Sequence, residues 1–166
     1  MFNIDPKVKL MKISPQFAYC DEKSKEAHTE VLKRKYKVAG NVINSLGIYT
    51  FFVLTSKIES CQKFLTVCIE ECHWENRNYR YLHGNSYLDV KKIESLSKDD
   101  LIEKIDDPGN KFVLVAKLCD QKYDELREMI GKLQRSSSFI SEDTKKLIAY
   151  ALSDDISGVL AKLGLN

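Results

Sequence analysis

The stretch Ile48–Trp74 constrains the fold most, because it begins with a nearly continuous apolar run, Ile48–Leu54, that must be buried. A helix apolar on every side is normally covered by other helices. Taken as a helix, the stretch also carries apolar residues at alternating steps of three and four, the spacing of one face of an amphipathic helix. These residues are Phe51, Leu54, Ile58, Cys61, Leu65, Cys68 and Cys72. The pattern therefore predicts a central, buried helix that begins near Ile48.

A buried strand is the alternative for the same run. Ile48–Leu54 would then form the strand, Thr55 and Ser56 would end it, and Ser56–Glu59 would cap a shorter helix. The unbroken helix is preferred because the apolar spacing continues through Ser56 without a change of phase. The same ambiguity between helix and strand exists at Phe112–Leu118, where the spacing again continues past Cys119.

Similar spacing predicts helices elsewhere in the chain. Two long ones span residues 21–46 and 111–134, and shorter ones span 87–96, 98–106 and the region from Ser141 onward. Ser97 and Ser141 are the expected N-caps. The small residues Ala39 and Gly40 mark a place where another helix could approach closely.

These elements together predict an all-α fold, a compact bundle of five to seven helices around the central apolar helix. Residues 1–20 would form an N-terminal arm, and residues 21–166 a single helical domain. A small β-hairpin near residues 79–88 is left open beside a structured loop, because His83, Gly84 and Asn85 are suited to a turn.

Composition limits the class of partner. The 166 residues include 26 Lys+Arg and 24 Asp+Glu, and the net charge of +2 exerts no strong overall attraction on nucleic acid or membranes. Only five of the basic residues are Arg, the side chain that binds phosphate bidentately. These features argue against a nucleic-acid partner. The basic run Lys33–Lys37 leaves an anionic partner open, although such a run is most often a solvated helix face.

The cellular setting is predicted from the N-terminus and the cysteines. The first residues lack the apolar core of a signal peptide, and the central apolar run is too short to cross a bilayer. Five cysteines are an odd number, and they lack the paired spacing of a disulfide framework. The chain is therefore expected to be cytoplasmic, or delivered into a host cytosol.

A metal site is one interpretation of the cysteine and histidine residues. Cys68 and Cys72 would share a helix face, with Cys61 one to two turns earlier, and His73 or His83 could complete a zinc site. The preferred interpretation is that the three cysteines are reduced core residues, because they lie on the apolar face that must pack. We therefore expect no metal and no cofactor.

The segment His83–Ser86 resembles the His-Gly-Thr/Ser step with which ADP-ribosyltransferases bind nicotinamide ribose, although Asn85 stands where those enzymes carry Thr or Ser. This resemblance implies an enzyme with a pocket around His83 and Arg80. No Walker loop, G-x-S-x-G or H-E-x-x-H motif is present, so catalysis is not the preferred function.

The preferred function is a non-catalytic protein-interaction module, such as an adaptor, a chaperone-like subunit or an effector. Its partner surface is expected to include residues 74–87, because aromatic and arginine side chains dominate binding hot spots. The predicted binding residues in that segment are Trp74, Arg77, Tyr79, Arg80, Tyr81 and Tyr87.

Overall fold

The computed structural model describes residues 15–21, 36–41, 47–61, 63–77, 82, 84–106, 112–136, 140–153 and 158. Within these ranges the chain forms seven strands and three α-helices. The strands are β1 (Phe17–Asp21), β2 (Tyr36–Ala39), β3 (Ile48–Thr55), β4 (Thr66–Ile69), β5 (Trp74–Glu75), β6 (Ser86–Ser97) and β7 (Phe112–Leu118). The helices are α1 (Lys98–Asp106), α2 (Asp120–Leu133) and α3 (Glu142–Leu152).

The strands form one curled, antiparallel sheet in the order β4-β6-β3-β2-β1-β7-β5. Strands account for 39% of the described residues, so the prediction of an all-α helical bundle is wrong. None of the described helices is long and apolar enough to span a membrane.

The predicted central helix is instead strand β3, followed by turns and β4. Successive side chains of a strand point to opposite faces, and here Phe51 and Phe52 are both fully buried, one in each of two separate core clusters. A strand buried on both faces has a continuous apolar sequence, which a helix apolar all round also has. Downstream, Ile58 is 44% exposed and Cys72 is exposed, so the apolar helix face predicted to run through them does not exist.

Two other predicted helices also contain strands. Residues 87–96 belong to β6, and the predicted helix 111–134 divides at Cys119 into β7 and α2. Within the predicted helix 21–46, residues 36–39 form β2, whereas residues 22–35 and 42–46 lie outside the described residues. The last residues of the predicted arm, Phe17–Cys20, belong to β1, which pairs with β2 and β7.

The helices near the two predicted serine caps are confirmed. The Asp100 N–H donates to Ser97 Oγ at 3.1 Å where α1 begins. Similarly, the Thr144 N–H donates to Ser141 Oγ at 3.2 Å where α3 begins. These caps could be identified from sequence because each depends on a hydrogen bond between residues three positions apart.

The sheet has a hydrophobic cluster on each face. Helices α2 and α3 contribute to the larger cluster, which also contains residues from both edge strands, such as Val67 of β4 and Trp74 of β5. Helix α1 contributes Leu101 to the smaller cluster on the opposite face. In that cluster Tyr19 and Phe51 pack edge to face, with ring centroids 6.2 Å apart.

At Gly40, the residue after β2, α3 packs tightly against the chain. A Cβ atom on Gly40 would lie 2.9 Å from Cβ of Ala151 and 2.7 Å from Oγ1 of Thr50. The Asn41 N–H also donates to the Ala151 carbonyl at 2.8 Å. A helix therefore does pack closely at Gly40, as predicted. It packs against the end of strand β2, whereas the prediction was of contact between two helices.

Candidate functional site

The two edges of the sheet are joined by only four residues, Glu70–His73, which we call the edge bridge. Strands β4 and β5 are the outermost strands on opposite sides of the sheet, yet they are consecutive along the chain. Five residue steps can span at most about 18 Å, whereas the outer strands of a flat seven-stranded sheet lie about 29 Å apart. The sheet must therefore curl until its edges approach each other, and the edge bridge crosses the remaining gap.

Hydrogen bonds hold the edge bridge in one conformation. The Glu70 N–H donates to Nδ1 of His73 at 2.9 Å, and the His73 N–H donates to the Glu70 carbonyl at 3.0 Å. The His73 carbonyl accepts the Cys119 N–H at 2.9 Å, which ties the bridge to the residue before α2. Residues 71–73 form one turn of 3-10 helix between these contacts.

The edge bridge presents several polar side chains to solvent. Glu70 and Cys72 are exposed, and Glu71 is half-buried. Glu71 Oε1 pairs with Nη1 of Arg77 at 2.7 Å, and the two side chains are 45% and 32% exposed. This ion pair positions Arg77 at the surface beside β5.

Glu70, Cys72 and His73 are also a candidate metal site, because one ligand atom from each lies within 4.8 Å of the others. The hydrogen bonds that these three side chains make are not compatible with a bound metal ion. Nδ1 of His73 accepts a backbone N–H, so the neutral ring carries its proton on Nε2 and has no lone pair for a metal. The Cys72 thiol in turn donates to Oε2 of Glu70 at 3.8 Å. The three side chains are therefore hydrogen-bonded within the turn, His73 to the Glu70 backbone and Cys72 to the Glu70 carboxylate.

The cysteines predicted to share a buried helix face do not share one. Cys68 lies on β4 and is half-buried, Cys61 is half-buried in the preceding loop, and Cys72 is exposed. The prediction that these three are core thiols is therefore wrong, because Cys61 and Cys72 lie outside the strands and Cys68 occupies a half-buried position of the edge strand β4. The buried cysteine is Cys20, on β1.

The residues predicted to bind a partner are placed as follows. Trp74 is only 5% exposed on β5, and its Nε1–H has no hydrogen-bond partner among the described residues. Arg77 is exposed, and Tyr87 is half-buried on β6 opposite Thr55 and Cys68. Tyr79, Arg80 and Tyr81 lie outside the described residues.

The residues of the two alternative functions are only partly described. His83 and Arg80, which would line the enzyme pocket, and residues 33–35 of the basic run lie outside the described residues. Lys37 is described, and it is not on a solvated face. It is 3% exposed, and its Nζ lies 2.6 Å from Oε2 of Glu94.

The chain matches no protein-family model and no curated protein. A function must therefore be argued from the geometry of this molecule. Arg77 was among the predicted binding residues, which stay a prediction, and the edge bridge was not predicted, because it depends on β4 and β5 being opposite edges of one sheet. The local signal that could have located the turn is the spacing of Glu70 and His73, which is that of a capping box.

Proposed function

We propose that the chain is a non-catalytic protein-interaction module whose partner surface includes residues 74–87. The observation that carries this proposal is the Arg77–Glu71 ion pair, which holds an exposed arginine beside the edge bridge. Arginine is among the residue types enriched at binding hot spots.

The rigidity of the neighbouring backbone supports a binding role. The edge bridge is continuous with β4 and β5 and is bonded to Cys119, so both of its ends are anchored. A surface that is already ordered loses little conformational entropy when a partner binds. Arg77 would thus be presented to a partner without an ordering step.

The burial of Trp74 gives it a supporting position within this surface. Its ring belongs to the larger hydrophobic cluster, where it anchors the first residue of the segment. The exposed contacts would then come from the residues that follow it.

The five cysteines are all free thiols, which supports the expected cytosolic setting.

Arg77→Ala tests the proposal, with Arg127→Ala as the matched control. Arg127 is also a surface arginine in an ion pair, with Nη1 3.7 Å from Oδ1 of Asp124, but it lies on α2. Both tagged variants would be compared with the unchanged chain in affinity capture from cell extract, with thermal melts in parallel. Arg77→Ala should remove specific partners without lowering the melting temperature.

Three results would contradict the proposal. The first is that all three proteins capture the same partners. The second is that both variants lose the same partners. The third is that Arg77→Ala loses partners only because it unfolds. The melts identify the last case directly.

A further inference from the structure

Strand β6 extends well beyond the strand that covers its outer side. It has twelve residues, of which four, Ser86–Asp89, pair with β4. On the other side, β3 pairs with Tyr87 and Leu88 and again with Ile93–Ser97, and the register shifts between these two stretches. Among the described residues, no strand pairs with the outer side of β6 beyond Asp89. The Lys91 N–H is already bonded to Oδ1 of Asp89 at 3.0 Å, so the open edge is defined as Ile93–Ser97, the five residues that pair regularly with β3 on the other side.

The chain just before β4 is not extended, so it does not pair with the open edge. Strand β4 runs antiparallel to β6, so residues before Thr66 would pair with Val90 and beyond if they stayed extended. Instead, residues 63–65 and 58–60 form turns of 3-10 helix. Nζ of Lys92 donates to the Ser60 carbonyl at 2.9 Å, so this loop lies beside the beginning of the open edge.

The loop carries the large apolar side chains that are exposed within the described residues. Ile58 is 44% exposed and Phe64 is 41% exposed. Exposed apolar side chains next to an incompletely paired strand are typical of a site to which another chain binds.

The charged side chains around the open edge are mostly lysines. Lys57 and Lys63 are exposed on the loop, and Lys92 lies on β6, whereas Glu59 is the exposed acid of that loop. The carboxylate of Glu94, on the open edge, is already paired with Lys37. Lys91 of β6 is exposed as well, so positive charge exceeds negative charge on the loop and on β6 itself. Beyond Ser97, the first turn of α1 contains the acidic residues Asp99 and Asp100.

We propose that the open edge binds an extended, acidic segment of another protein as an additional β-strand. Backbone hydrogen bonds to β6 would provide affinity, and side chains on alternate positions would provide specificity. Apolar residues of the segment would contact Ile58 and Phe64, and its carboxylates would lie near the lysines. A second copy of this chain fits less well, because two such edges would bring the same lysines together.

This proposal goes beyond the surface at residues 74–87 and uses different residues, so the two can fail separately. The probe is a fluorescein-labelled peptide of about twelve residues, the length of a long strand, with alternating Val and Asp. Control peptides replace Asp with Lys, or place Glu, Leu and Ala at helical spacing. Binding is measured by fluorescence anisotropy, and its location by hydrogen exchange of the β6 amides.

The Val/Asp peptide should bind saturably with Kd below about 1 mM, and both control peptides should bind more weakly. Ile58→Ser combined with Phe64→Ser should weaken binding about tenfold, a change that corresponds to a modest contact energy. Lys57→Ser with Lys63→Ser should weaken binding and reduce its dependence on salt. The matched control, Lys132→Ser with Arg135→Ser, also removes two exposed cations, at the end of α2 and just after it, and should change neither the affinity nor its dependence on salt. Amides within Ile93–Ser97 should exchange more slowly when the peptide is bound.

Several outcomes would overturn the proposal. These are no saturable binding, equal binding of the Lys-containing or helical peptide, and protection confined to β7 or to residues 74–77. A concentration-dependent dimer that protects Ile93–Ser97 without peptide would assign the open edge to a second copy of the chain instead.

Discussion

The Lys37 side chain, on β2, reaches across β3 to Glu94 on β6, and the Nζ and Oε2 atoms lie 2.6 Å apart. The two side chains differ in exposure, at 4% for Lys37 and 36% for Glu94. The pair therefore connects three neighbouring strands on the face that carries the smaller cluster, and only its acidic member has substantial contact with water.

This difference in exposure predicts that substitutions of Lys37 and of Glu94 lower the free energy of unfolding by different amounts. Glu94→Met leaves a buried ammonium without its carboxylate and should lower the free energy of unfolding by about 2–3 kcal/mol. Lys37→Met leaves a carboxylate that water can reach, so its cost should stay below about 1 kcal/mol. Urea denaturation of both variants and of the double variant measures the coupling. Equal costs would show that the exposure of Glu94 does not matter.

Gly40 and Gly131 should respond to alanine in opposite directions. A methyl group at Gly40 meets Thr50 and Ala151, so Gly40→Ala should destabilise the fold by about 1–3 kcal/mol through overpacking. Gly131 lies within α2 with no atom within 4 Å of the added carbon, so Gly131→Ala should stabilise it by about 0.5–1 kcal/mol. Thermal melts of the two variants compare the effects. A stabilising change at Gly40 would mean that α3 does not pack this closely.

Phe51 and Phe64 provide a matched test of burial. Phe51 is completely buried, and Phe51→Ala should cost about 3–5 kcal/mol because the ring leaves a cavity in the core. Phe64 is 41% exposed, so the same substitution there should cost clearly less, about 1 kcal/mol. Chemical denaturation measures both values. Similar losses at the two positions would contradict the burial of Phe51 or the exposure of Phe64.

Tyr19 should make stability fall at alkaline pH. Burial raises the pKa of Tyr19 above its ordinary value, because the anion is disfavoured away from water. In the unfolded chain a tyrosine titrates near pH 10. The contribution of the neutral Tyr19 side chain to the free energy of unfolding is therefore fully present below about pH 10. It is lost as pH rises toward the raised pKa that Tyr19 has in the folded protein. Tyr19→Phe should remove this part of the loss.

The measurement is the difference in free energy of unfolding between the Tyr19→Phe variant and the unchanged chain, taken from near-neutral to alkaline pH. A constant difference can come from any hydrogen bond of the hydroxyl group. Only a difference that changes above about pH 10 reports the titration of Tyr19. A difference independent of pH would contradict its burial.

The five cysteines should react with a thiol reagent in a defined order. Cys72 is exposed and should be labelled rapidly in the native protein, whereas Cys20 is 1% exposed and should be labelled only after unfolding. Mass spectrometry of digested protein after timed labelling assigns each site, and denatured protein gives the maximum. Labelling of Cys20 at the rate of Cys72 would contradict the position of β1 within the sheet.

Local signals in the sequence were enough for the features that depend on neighbouring residues. The caps at Ser97 and Ser141 were predicted, and the structure contains them. A helix was also predicted to approach Gly40 closely, but as a contact between two helices, whereas α3 packs there against the end of β2. Each involves a short-range hydrogen bond or the absence of a side chain. Arg77 was identified from its residue type alone, and it is exposed, but its role at a partner surface stays a prediction.

The incorrect part of the fold prediction has a specific cause. In a continuous apolar run such as Ile48–Leu54, every period of hydrophobicity is satisfied, so the run carries no information about the periodicity of the backbone. The helical spacing from Phe51 to Cys72 combined residues of β3 and β4 with residues of the turns around them, such as the exposed Ile58. The β-branched and aromatic residues of Phe112–Leu118 favoured a strand, but the apolar spacing that continued into α2 obscured the boundary at Cys119.

The sequence by itself determined where the chain had to be buried and where two helices begin, because burial follows residue type and caps follow spacing. Only the tertiary structure decided that Phe51 and Phe52 lie in different clusters on opposite faces of one sheet. It also decided that Glu70–His73 connects the two edges and that Val90–Ser97 extends beyond β4. The physical reason is that strand pairing joins residues distant in sequence, and a single chain carries no local signal for which strands become neighbours.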